Sequence, residues 1–130
     1  MKQAYKFFLL ILLLAAAGCS KSPTPSLIEG KWIIARVYLL NNTSDDGKSY
    51  LEFTGCDTPP CPGIDYNSNE NTTGIFTWEL QDKTIIIADT MSEGGGYNNS
   101  WKIDYLGSKK MRLKADIPLF GEMTLLLKKQ

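Results

Sequence analysis

From Lys31 to the C-terminus, apolar residues recur at every second position in short runs between turn signals, the period of strands with one buried face. The clearest run is Lys110 to Ala115, in which Met111, Leu113 and Ala115 point one way and Lys110, Arg112 and Lys114 the other. Ile75 to Leu80 repeats the design, with Phe76, Trp78 and Leu80 inward and Thr77 and Glu79 outward. Trp32 to Leu40, Ser49 to Thr54, Thr84 to Ala88, Asn99 to Tyr105 and Gly121 to Lys128 complete a set of seven, and Gly63 to Asn67 offers an eighth. Gln81-Asp82-Lys83 and Gly107-Ser108 link neighbours so tightly that they must run antiparallel. The pattern predicts an all-β, up-and-down antiparallel meander of seven or eight strands that curls into a small barrel to protect its edges. Asn41 to Lys48 reads as a polar loop, Gly55 to Thr73 as a longer one, and Gly94-Gly95-Gly96 as a third connection.

The N-terminus follows another rule. Lys2 and Lys6 precede an apolar stretch from Phe7 to Ala17, eleven residues where a spanning helix needs about 20. This is the form of a cleavable export signal. Ala16, Ala17 and Gly18 before Cys19 resemble the lipobox of bacterial lipoproteins, with Ala16 where that family more often has Leu. The resemblance implies removal of residues 1–18 and acylation of Cys19, two or three chains being needed for firm anchoring at about 0.8 kcal/mol per methylene. Residues 19–26, rich in Ser, Pro and Thr, then form a lipidated tether, and residues 27–130 form the barrel domain. Ser20 is not the Asp that retains lipoproteins in the inner membrane, so the expected location is the outer membrane, facing the periplasm.

Without residues 1–18 the chain has 112 residues, one small domain with a modest core, and 12 basic against 14 acidic residues. That balance gives no electrostatic footprint for nucleic acid. Cys56 and Cys61 enclose Asp57, Thr58, Pro59 and Pro60, and in an exported protein a pair this close is expected to be a disulfide. A redox pair would have two intervening residues at a helix N-terminus, and zinc would need more ligands than this His-free chain supplies. With no His and no free thiol left, the sequence offers no catalytic set, and neither enzyme activity, a cofactor nor a metal is expected. The carboxylate pair Asp45 and Asp46 lies in a polar loop. Asp65, Asn67 and Asn69 copy the start of a calcium loop, but Glu70 stands where Gly is needed and Phe76 where a bidentate Glu is needed. Asp89, Thr90 and Met91 resemble the O-glycan acceptor of exported Bacteroidetes proteins, which makes Thr90 a candidate glycan site.

Gly30 and Trp32, at the entrance to the first strand, resemble the G-x-W motif that opens lipocalin-like barrels. The wider pattern is similar to the small lipocalin-like lipoproteins of Bacteroidetes: Leu27 to Trp32, Tyr50 to Phe53, Gly74 to Leu80, Trp101 with Ile103, and Met111 to Leu113. The resemblance implies that Trp32 closes one end of the barrel, stacked by a late-strand cation for which Arg112 is the counterpart, although its alternation faces it outward. It also implies an interior site for a small apolar ligand, lined by Trp32, Phe53, Phe76, Trp78, Trp101, Ile103, Met111 and Leu113. The alternative is that these side chains fill the barrel. The protein is then a ligand-free interaction or structural module that docks on an envelope protein through the Cys56–Cys61 loop.

Overall fold

The computed structural model describes residues 20–40, 42–44, 47–89 and 97–130. A four-residue helix, α1 (Pro25–Ile28), leads into nine strands: β1 (Gly30–Leu39), β2 (Asn42–Ser44), β3 (Tyr50–Phe53), β4 (Cys61–Asn67), β5 (Thr72–Gln81), β6 (Thr84–Asp89), β7 (Asn99–Leu106), β8 (Lys110–Ile117) and β9 (Gly121–Lys129). From β3 to β9 each strand pairs antiparallel with the next, β3 pairs with the start of β1, and β9 pairs with β1 along nearly its whole length. The result is a closed eight-stranded antiparallel barrel. Closure leaves none of these eight strands as a free edge.

The alternation read from the sequence sets the inner face. Leu51, Phe53, Phe76, Trp78, Ile85, Ile87, Trp101, Ile103, Met111, Leu113, Ala115, Leu125 and Leu127 are buried in one cluster with Trp32 and Ile34. Leu80 is half-buried against it. Two bulges bend the wall, one between Ile34 and Arg36 on β1 and one between Ile103 and Tyr105 on β7. Each inserts an extra residue, Ala35 or Asp104, and increases local twist, which helps the sheet to close.

Two elements depart from the sequence reading. Within the expected loop Asn41 to Lys48, β2 pairs Asn42–Ser44 with Val37–Leu39. It is polar and aperiodic, and it forms because β1 outruns β3, whose pairing stops at Ile33 and leaves the rest of that edge of β1 open. The second is α1, which starts inside the expected tether with Pro at its first turn and buries Ile28 completely at one end of the barrel. Ser20 and Lys21, in that expected tether, are docked on the barrel: Leu106 N–H donates to Ser20 Oγ (2.8 Å) and Lys21 N–H to the Leu106 carbonyl (2.7 Å). The strand foreseen around Gly63 to Asn67 is present and begins at Cys61.

Among the described residues, every member of the core cluster lies between Ile28 and Leu127. Residues 20–130 thus carry the whole of this described core and ring. Gly63 is fixed by packing rather than by turn geometry, because a Cβ there would run into the ring of Phe76, which is only 1% exposed and cannot withdraw. Overpacking of this kind costs about 1–3 kcal/mol. Gly63→Ala in residues 20–130 is expected to lower the urea midpoint accordingly, with the slope unchanged; wild-type stability would show that the ring has room to move.

Candidate functional site

All eight interior residues singled out from the sequence do meet inside the barrel. What they meet is one another. Phe53 lies edge-on to Phe76 and to Trp78, with ring centroids 5.6 and 5.3 Å apart. A chamber wide enough for even a water molecule would leave its walls accessible, yet Trp32, Phe53, Phe76, Trp78, Trp101, Met111 and Leu113 are at most 2% exposed and Ile103 only 7%. These side chains constitute the core.

The three tryptophans also organise the ends. A buried indole N–H needs an acceptor. Trp32 Nε1 donates to the Ile28 carbonyl (2.7 Å), which ties α1 across the barrel end. Trp78 Nε1 is shared between the Thr54 and Pro62 carbonyls (3.1 Å each), the two sides of the loop that holds the disulfide. Trp101 Nε1 donates to the Tyr97 carbonyl (2.8 Å). Gly30 has φ +121°, a conformation that favours glycine, and a Cβ there would press on the Lys129 side chain. The Gly30-x-Trp32 pattern thus has a local physical basis here.

The stacking role that the resemblance gave to Arg112 falls to Lys129. Its Nζ lies 5.2 Å from the Trp32 ring centroid and donates to the Leu27 carbonyl (3.3 Å). Arg112 stays on the outer wall, as its alternation required, and pairs with Asp104 (3.1 Å). The reason is register: Trp32 is opposite Lys129 on β9, whereas Arg112 is opposite Leu126 and Tyr105 on the outward face.

Cys56 and Cys61 form a disulfide. Their loop sits at the end closed by α1, where Glu29 packs over Gly55. Of the calcium-like residues, Asn67 Oδ1 accepts the backbone N–H groups of Asn69 (3.0 Å) and Glu70 (3.4 Å), so it caps the β4–β5 turn. The signal segment 1–18, Cys19, Thr90, Asp45, Asp46 and Gly94–Gly96 lie outside the described residues.

Among the described residues two surface features stand out, neither of them legible as a site in the sequence. On the outer wall, β8, β9 and β1 frame a groove of about 700 Å³ whose floor includes Ile33, Ala35 and Leu126 and whose rim includes Lys110, Arg112 and Lys128. It lies between the two bulges, which turn Ala35 and Tyr105 toward it. At the end of the barrel opposite α1, Leu40 (67% exposed), Leu119 (102%) and Phe120 (54%) stand on the adjoining β1–β2 and β8–β9 turns, with Leu40 alongside Gly121. Leu40 and Leu119 have φ of 56° and 72°, a region that Asn71 and Asp82 tolerate in their turns but that costs a leucine energy. Asp116 and Glu122 face each other at the base of the same hairpin.

The two cations can be told apart by stability. Lys129→Ala removes a cation–π contact worth about 0.5–1 kcal/mol and a helix tie, so a loss near 1 kcal/mol with a change in Trp fluorescence is expected. Arg112→Ala removes a half-exposed pair and is expected to stay within about 0.5 kcal/mol. The reverse order in urea unfolding would return the stacking role to Arg112. No family model matches the chain and no curated protein matches it, so its functional reading rests on the filled interior, the outer groove and the apolar tip.

Proposed function

We propose that this protein is a lipid-anchored module of the bacterial cell envelope that works as a ligand-free, protein-binding barrel. The single observation that carries this over interior ligand binding is the filled core: all eight candidate lining residues are buried against each other. The N-terminal pattern supports the address. Lys2, Lys6, the apolar run and Ala16-Ala17-Gly18-Cys19 fit a lipoprotein signal, with Cys19 acylated and the outer membrane, periplasmic side, as destination. Ser20 docks on Leu106 at the end closed by α1, so an acyl group on the preceding residue leaves the protein there. Leu40, Leu119 and Phe120 then point away from the membrane.

That tip suits a partner. Exposed leucines held in a costly backbone conformation do not stabilise the free barrel, and burying them against another surface recovers about 25 cal/mol per Å². With Asp116 beneath and Glu122 shared with Lys114 (3.7 Å), the complementary surface is a protein hollow with an apolar floor.

Native mass spectrometry of residues 20–130 is expected to give the same mass as the denatured protein. An apolar adduct lost on denaturation would reinstate interior ligand binding. In cells, a photocrosslinker placed at Leu119 is expected to give one discrete protein adduct that Phe120→Ser weakens at least tenfold, about the loss of one buried anchor; adducts unaffected by Phe120→Ser would remove the tip from the interface. Intact mass of the full-chain product is expected to start at Cys19 with added acyl groups, and an unmodified Cys19 would sink the anchor.

A further inference from the structure

Lys110 and Lys128 stand directly opposite each other on β8 and β9, an arrangement that like-charge repulsion disfavours. Both are exposed, as is Lys109 in the preceding turn. Among the described residues no carboxylate pairs with any of the three: Asp104 is taken up by Arg112 (3.1 Å) and Lys114 (4.0 Å), and Glu122 by Lys114 (3.7 Å). Next to the lysine pair the wall turns apolar, with Ile33 opposite Lys128 and Leu126 and Ala35 beyond. Cations without partners around an apolar floor form a surface matched to an anionic amphiphile.

Position selects the source. The groove reaches the barrel end at which Ser20 Oγ meets Leu106, one turn of chain from Lys109 and Lys110. Glu29, the carboxylate that ends α1, is directed to the other side, over Gly55. We infer that the tethered end of the β8–β9–β1 wall leans on an anionic bilayer: Lys109, Lys110 and Lys128 meet headgroup phosphates, while Ile33, Ala35 and Leu126 face the apolar layer beneath them. The inference deepens the anchored reading above and rests on it. Acyl chains at residue 19 hold this end at the membrane, and the lysines fix which wall tilts toward it. The acidic tip of a second copy matches the groove in charge, but on molecules anchored in one membrane it stands at the wrong height.

The test uses residues 20–130 without the anchor, so it is separate from the fate of Cys19. Co-sedimentation with phosphatidylglycerol–phosphatidylcholine vesicles is expected to show binding that high salt releases, with none to phosphatidylcholine alone. A cytoplasm-like surface potential makes each lysine worth about fivefold. The triple variant Lys109→Gln/Lys110→Gln/Lys128→Gln is then expected to bind on the order of a hundredfold more weakly, whereas Lys102→Gln, exposed on β7, changes binding less than about twofold. Equal binding to neutral vesicles, no binding to anionic ones, or a triple variant that binds like wild type would each overturn the inference. So would low-salt self-association abolished by the triple variant, which would give the groove to a second copy. Intact mass of the full-chain product reads the anchor independently, so a failure there is distinguishable from a failure of the wall.

Discussion

Three indole N–H groups cannot be buried unpaired, and the ends of this barrel are arranged around that requirement. Strand pairing uses most backbone groups of the wall, so each indole turns to a carbonyl at or beyond the end of a neighbouring element: Ile28 for Trp32, Thr54 and Pro62 for Trp78, Tyr97 for Trp101. Each bond ties a connecting segment to a ring that is itself fixed by packing. Helix α1 is too short to hold its shape alone, and it persists because Ile28 is buried and its carbonyl is held. A small barrel gains uniqueness this way, since few side chains must define both its core and its ends.

The same packing decides what the barrel can do. Large aromatic rings from β3 and β5 pack edge-to-face across the interior, and Trp32 with Ile28 stops one end. In the proposed reading, function therefore lies at the surface. There the two ends differ. The end at which Ser20 meets Leu106 has Lys109, Lys110 and Lys128 beside an apolar groove, and the opposite end has apolar turns above Asp116 and Glu122. A lysine pair set face to face and leucines set in left-handed turns are both unfavourable in the isolated molecule. In the proposed reading, a partner at the tip and a membrane at the tethered end offset both.

Much of the fold was legible because alternation survives in every strand that has one wet face. Met111, Leu113 and Ala115 are inward and Arg112 outward as their spacing required, and Phe76 and Trp78 point in as read. Legibility failed where the cause was not local. β2 has no apolar period and owes its existence to the unpaired edge of β1, and α1 owes its burial to the indole above it. The partner of Trp32 was misassigned because Lys129 and Arg112 differ only in register, and register across a closed ring depends on bulges that leave no mark in composition.

The sequence by itself determined the strand order, the inward set and the pairing of two close cysteines, because period, turn chemistry and residue spacing are properties of contiguous chain. Only the tertiary structure decided that the inward set fills the barrel, that Lys129 stacks on Trp32, and that Lys110, Lys128, Ile33 and Leu126 share one groove. Volume, register and the meeting of β1 with β9 belong to closure. They have no counterpart in any single segment, since closure brings together residues nearly a hundred positions apart.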